Sequence, residues 1–332
     1  MQEISITENE AGQRLDKLLA KFLKEAPKSF LYKMLRKKNI TLNGKKASGS
    51  EKLSEGDVVK LFLSEETIEK FSGKMLECGQ GTYPGKAAEW DILYEDAHVL
   101  LLNKPAGMLS QKAREEDVSA VEHLTRYLLD TGALTREKLK TFRPSVCNRL
   151  DRNTSGILAA GKSLAGLQEL SRFFKERSIG KYYLCLVFGE VKKPESIKGY
   201  LVKEEKTNHV RIAEQETPGS VRIETEYRPL ASGRECTLLE VHLVTGKTHQ
   251  IRAHLASKGH PILGDYKYGQ FRVNDRYQKQ YGLRFQLLHA WRLRMPETEG
   301  VLGYLSGREF LAPPPALFQR ICQEETGYSD VF

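Results

Sequence analysis

Apolar runs that read as strands recur along this chain at uneven intervals, and that unevenness is what most limits its fold. The run at 99–102, then "GILAAGKS", "KYYLCLVFGEV" and "CTLLEVHLVTG", each have the length and apolar content of a buried strand. Helical periodicity separates some of them and not others. "SLAGLQELSRFFKERS" starts from a Ser163 cap and carries Leu164, Leu167, Leu170 and Phe174 on one face. "THQIRAHLASKG" reads as a helix stopped by Gly259. A doubly wound fold needs a helix between successive strands, and this pattern does not supply one. The expected class is therefore α+β, built on a mixed, mainly antiparallel sheet.

The 332 residues are more than one compact core needs, and charge marks where the chain divides. Lys and Arg number 52 against 43 Asp and Glu, a net charge of +9. Thirteen of those cations and only five of the acids fall within residues 12–61, so the remainder is nearly neutral. A charge serving only solubility would be spread out. One packed into a short segment is the footprint of a nucleic-acid-binding module. Within it, Leu15, Leu18, Leu19, Phe22 and Leu23 predict one short helix, and Phe30, Leu31, Met34 and Leu35 a second, entered at Pro27. "ITLNGKKA" predicts a strand and an Asn-Gly turn, and "GDVVKLFL" an alternating strand. Residues 1–63 are thus expected to form a small α/β RNA-binding domain. Lys17, Lys33, Arg36, Lys37 and Lys38 are its candidate RNA contacts. Residues 64–89, with four glycines and little periodicity, read as a linker, and 90–332 as a second, larger domain. Trp90 and Trp291 are read as core, and "PPPAL" as a rigid turn before a last helix.

Several chemistries lack their signatures. The five cysteines are scattered with no C-x-x-C pair, and no H-E-x-x-H occurs, so neither a metal nor a disulfide framework is expected. "VTGKT" resembles the end of a phosphate loop, but Val241 stands where its first glycine belongs. Neither G-x-G-x-x-G nor G-x-S-x-G is present. There is no apolar run of 18 residues and no secretory signal in "MQEISITENEAG", so a cytoplasmic protein without a membrane span is expected.

What remains is the polar loop "NRLDRNTSGI", 148–157, where Asp151 lies between Arg149 and Arg152. By itself such a carboxylate would most simply brace a turn. A second basic stretch, "TGKTHQIRAHLASKGHPILGD", adds Arg252 on the helical face of His249, Leu255 and Ala256. An arginine beside a buried aspartate would keep it ionised, as an attacking carboxylate requires. Lys104, at the end of a strand, reads as solvated, and His249 and His289 as loop braces.

Five ordered segments carry a resemblance. "YEDAHVLLLNKPAGM", "NRLDRNTSGILAAGKS", "KYYLCLVFGEV", "TGKTHQIRAHLASKGHPILGDYKYG" and "LLHAWRL" resemble the motifs of the RluA family of pseudouridine synthases. The basic N-terminal segment resembles the S4-like RNA-binding domain found in that family's ribosomal-RNA branch. The resemblance implies that Asp151 acts on a flipped uridine, by attack on C1′ or by removal of the C2′ proton, and both routes stay open. It implies that Arg252 pairs with Asp151 and that Tyr183 stacks on the base, its hydroxyl helping to remove the C5 proton. Tyr182 points to the other face of the strand. Arg149 would occupy the space left by the base or hold its phosphate, with Asn148 and Arg152 as further RNA contacts. Asn148 stands where the family usually has His, which removes a titrating group from that position. The isomerisation implies no metal, redox or nucleotide cofactor. Large-subunit ribosomal RNA is the expected substrate, transfer RNA the alternative, and a monomer the expected state. Two other readings are a non-catalytic ribosome-assembly factor and a carboxylate glycosidase with Asp265 or Glu190 as second acid. The first would be expected to lose Asp151, Tyr183 or Arg252. The second would need an acid at a fixed separation from Asp151.

Overall fold

A computed structural model of the chain describes residues 1–7, 9–72, 91–204 and 209–329. The first of two units is a four-stranded sheet in the order Gln2–Ser5, Val58–Leu61, Ile40–Leu42, Lys45–Lys46, covered by helices Leu15–Phe22 and Lys28–Arg36. Leu15, Leu18, Leu19, Leu31 and Leu35 close a core with Ile40, Val59 and Leu61. The Asn-Gly turn forms as the sequence suggests, with Asn43 and Gly44 both at positive φ, as a two-residue hairpin turn requires. The segment expected to be a linker begins differently. Residues Glu65–Ser72 are helical, with Ile68 buried and the Phe71 ring 4.5 Å from that of Phe30. Two apolar residues three apart suffice to dock this helix, and the charged residues around them hide the pattern. The remainder of that segment, and Trp90, lie outside the described residues.

The second unit is an eleven-stranded sheet. Nine strands form one path: His209–Ala213, Glu195–Glu204, Val221–Ser232, Cys236–His242, Gly180–Phe188, Leu288–Arg294, Ser155–Gly161, Val99–Lys104 and Asp91–Glu95. Glu309–Leu311 joins beside Leu288–Arg294, and Ser145–Val146 beside Ser155–Gly161. All pairings are antiparallel except that between Leu288–Arg294 and Ser155–Gly161. The sheet is mixed and mainly antiparallel, as expected. Ser155–Gly161 lies inside it and is buried at every position, which explains its uninterrupted run of small and apolar residues.

Helix Leu164–Glu176 starts where expected, with the Ser163 hydroxyl accepting from the Gly166 amide at 3.0 Å. Several elements have no counterpart in the apolar reading, and three of them show why. The strands Glu195–Glu204 and Val221–Ser232 are half polar because they lie toward one edge of the sheet. The charged helix Phe271–Tyr281 buries only Asn274, Tyr277 and Tyr281. The two units touch: Thr141 Oγ1 donates to Glu10 Oε1 at 2.7 Å, and Asn9 Oδ1 accepts from the Leu164 amide at 3.1 Å.

Candidate active site

The loop between Ser145–Val146 and Ser155–Gly161 carries Asp151 and is pinned from every side. Leu150 is buried in the main core, and the Ser110 hydroxyl bridges its amide and carbonyl at 3.0 and 2.9 Å. The Thr154 amide donates to the Asp151 carbonyl at 3.0 Å, closing the turn. Gly156 then enters the strand at φ +110°, where an added Cβ would lie 2.2 Å from the Ala290 carbonyl oxygen. The Thr-Ser-Gly sequence is therefore set by the close pass of the neighbouring strand. His289 braces the same junction through Ser155 Oγ at 2.8 Å and the Ala312 carbonyl at 3.0 Å, and burial holds its pKa down at about 4.

One expectation is corrected beside this loop. Lys104 is not solvated but fully buried, its ammonium donating to the carbonyls of Pro105, Met108 and Arg152 at 2.8, 2.9 and 3.2 Å. Burial lowers its pKa to about 7, against the pull of Asp151. The three carbonyls replace the water it has lost. Asn148, expected among the RNA contacts, spends both ends of its amide on the backbone. Its Nδ2 donates to the Ile157 carbonyl at 3.0 Å, and its Oδ1 accepts from the Ala159 amide at 2.8 Å. The amide spans a donor and an acceptor two residues apart in one strand.

Asp151 meets Arg252 across the sheet. Arg252 Nη1 donates to Asp151 Oδ2 at 2.9 Å, while Nε and Nη2 grip both oxygens of the buried Asp265 at 2.7 and 2.9 Å. Asp265 also accepts from the Lys267 and Tyr268 amides, and the Arg252 guanidinium lies 5.1 Å over the Tyr268 ring. Burial works against the charge of Arg252, but Asp265 and then Asp151 outweigh it and raise its pKa. The sequence reading had weighed Asp265 only as a second hydrolytic acid. Its position in "GHPILGD" was the one signal, and its pairing with Arg252 was not visible there.

His249 adjoins the pair, in a left-handed backbone conformation at φ 54°. Its Nδ1 is 2.9 Å from Tyr268 Oη, which also accepts from the Val210 amide at 3.1 Å. Its Nε2 lies 4.0 Å from Asp151 Oδ2. Burial lowers the pKa of His249 and outweighs the opposing pull of Asp151, which favours the neutral ring. The residue is a brace through one nitrogen and faces the carboxylate with the other.

These groups border a cleft of about 1020 Å³. Asn148, Arg149, Asp151, Arg152, Tyr183 and Arg252 all line it. Lys112, Lys175, Arg177, Lys181, Lys203, Lys247 and Lys267 add cations, and among the described residues Asp151 is the one acidic residue of the lining. Tyr183 is buried, and burial with the nearby Asp151 raises its phenol well above the ordinary value. Tyr182, on the other face, stacks on His242 at 4.7 Å. Lys17, Lys33, Arg36, Lys37 and Lys38 are exposed on the first unit and do not line the cleft.

Comparison with known proteins gives a consistent picture. Residues 98–257 match the family model for RNA pseudouridylate synthase, and 13–59 that for the S4 domain. The chain is 37% identical over 309 residues to the ribosomal large subunit pseudouridine synthase C of Vibrio vulnificus (strain CMCP6), covering 90% of each chain. To the Escherichia coli (strain K12) protein of that name it is 34% identical over 306 residues, 88% of this chain and 87% of the other. Among solved structures, human RNA pseudouridylate synthase domain containing 1 aligns with a TM-score of 0.54 at 26% identity, over 70% of this chain and 86% of that one. Human RNA pseudouridylate synthase domain containing 4 shares the fold, with a TM-score of 0.56 at 20% identity over 70% and 91%.

Proposed function

This chain belongs to the RNA pseudouridylate synthase family, and from that premise we propose that it converts particular uridines of large-subunit ribosomal RNA to pseudouridine, with Asp151 as the essential carboxylate. The observation that carries this reading is the charge chain Asp265–Arg252–Asp151, fixed at a cleft whose other charged side chains, among the described residues, are cationic. Its relatives named for the large ribosomal subunit support that choice of RNA.

A stacked base cannot reach a carboxylate in such a cleft, so the uridine must be extruded, at a few kcal/mol that protein contacts offset. Arg149, exposed at the cleft beside Asp151, meets the strand that the base has left. Tyr183 stacks on the uracil. Its raised pKa means that a neutral ring, not a phenolate, meets the base. Arg252 holds Asp151 through Oδ2, which leaves Oδ1 to react. The bond between C1′ and N1 breaks, either by attack of Asp151 on C1′ or through loss of the C2′ proton. The uracil rotates and rejoins C1′ through C5, and the C5 proton leaves. Nothing is oxidised, reduced or transferred to another molecule, so the balance calls for no cofactor. Residues 1–63, with their exposed cations, hold the RNA, and 90–332 carry out the reaction, in a cytoplasmic monomer.

The test is tritium release from RNA labelled at uridine C5, prepared from cells lacking this protein. Release from ribosomal RNA by the wild type and not by Asp151→Asn, with RNA binding retained, is the expected result. Release from transfer RNA alone would overturn the substrate, and full activity in Asp151→Asn would overturn the mechanism.

A further inference from the structure

Helix Leu164–Glu176 ends on Arg177, whose backbone is left-handed at φ 60° and ψ 25° and whose amide donates to the Phe173 carbonyl. Helices Phe271–Tyr281 and Ala316–Thr326 end in the same conformation, but on Gly282 and Gly327. Glycine is the unstrained choice there, and a residue with a Cβ is not. Strain of this kind persists where the side chain does something glycine cannot. Arg177 lines the cleft, and among the described residues its guanidinium has neither an ion pair nor a hydrogen bond.

Lys181 lies close by, at the start of strand Gly180–Phe188, and lines the same cleft. Burial, and then the charge of Arg177, depress its pKa to about 8. It too has no carboxylate partner among the described residues. The missing side chain at Gly246 leaves the ammonium reachable, since a Cβ there would already lie 3.8 Å from Nζ. Two neighbouring cations, Lys181 half-buried and Arg177 exposed, repel each other, and an anion arriving from outside would relieve that repulsion. Lys181 and Tyr183 are alternate residues of the strand, so they face the same way, roughly 7 Å apart.

We propose that Arg177 and Lys181 form a subsite for one RNA backbone phosphate flanking the extruded uridine. The inference rests on the uridine-isomerase reading, because Tyr183 and Asp151 define where the target nucleotide sits. The subsite fixes the RNA strand along the wall of the cleft, while Tyr183 and Asp151 handle the base.

The experiment compares wild type with Arg177→Gly, Lys181→Met and Lys181→Arg in the full-length protein. It uses the RNA class that supports tritium release and reads Kd against salt, the split between KM and kcat, and Tm. Arg177→Gly should keep or raise Tm, because the strain is relieved. It should nevertheless weaken RNA binding about 5–10-fold and lower the slope of log Kd on log salt by about one. Lys181→Met should weaken binding similarly, and Lys181→Arg should restore it, with the losses larger in KM than in kcat. Unchanged affinity and salt slope in Arg177→Gly, with the wild type active, would overturn the subsite and leave the isomerase reading intact. Absence of tritium release by the wild type from either RNA would overturn both.

Discussion

The floor beneath Asp151 and the wall of the cleft at Arg177 and Lys181 are built on opposite rules. On the floor nearly every polar group is matched. Lys104 has three carbonyls, Asn148 uses both ends of its amide, Ser110 bridges Leu150, and Arg252 is gripped by Asp265. On the wall, cations face a cleft with one acid among its described residues. A matched network cannot rearrange without leaving buried groups unpaired, so the floor holds the Asp151 carboxylate in one place. An unmatched set of charges is completed by something that arrives, so the wall is where a polyanion is held. The same residue type, lysine, serves both ends, and its surroundings decide which.

The comparison can be broken most severely at Asp265. Asp265→Ala leaves Arg252 buried without its main partner and should destabilise the fold by about 3–5 kcal/mol. Activity should fall further than the unfolded fraction explains, as equilibrium unfolding and initial rates on one preparation would reveal. A variant with normal stability and rate would mean that Arg252 needs only Asp151. Lys104→Met should cost less, about 1–3 kcal/mol, because carbonyls rather than a charge lose their partner. Its signature is a pH dependence. The folded protein holds Lys104 at about 7, while the unfolded chain titrates at the higher ordinary value. Between those limits the unfolded state binds more protons, so wild-type stability relative to Lys104→Met should rise with pH from about 7 upward. A pH-independent difference in denaturation midpoints would show that the environment of Lys104 does not favour the neutral amine.

Asn148→Ala removes two backbone contacts and should cost about 1–2 kcal/mol. Its effect on RNA affinity should be no greater than that on folding, which filter binding and urea unfolding together would test. The smallest effect belongs to the first unit. Lys37→Gln should weaken RNA binding only a few-fold and lower the salt slope by at most about one, leaving turnover at saturating RNA unaltered. A loss of turnover there would mean that this surface shapes the cleft as well as holding RNA.

The sequence carried the main parts of the site where local chemistry was unusual. Asp151 stood out because a carboxylate between two arginines is followed by a turn, and Arg252 because it falls on the face of a short basic helix. Asp265 and Lys104 did not stand out. An aspartate after a glycine and a lysine at the end of a strand are ordinary until burial and partners are known, and neither follows from spacing. The polar strands Glu195–Glu204 and Val221–Ser232 went unread for a related reason. Toward the edge of a sheet one face can remain in water, so the apolar run that identifies an inner strand is absent.

The sequence by itself determined the fold class and the separate basic module, and it named the residues that we propose do the chemistry. These are properties of periodicity and local charge, which act over a few residues and survive without a partner. Only the tertiary structure decided which groups are matched and which wait for a ligand. Asp151 and Arg252 are 101 residues apart in the chain and meet because the order of the strands brings the Asp151 loop beside the helix Gln250–Ser257. Burial then sets the outcome, since removing water turns a lysine into a clamp where carbonyls surround it and into an anion site where none do.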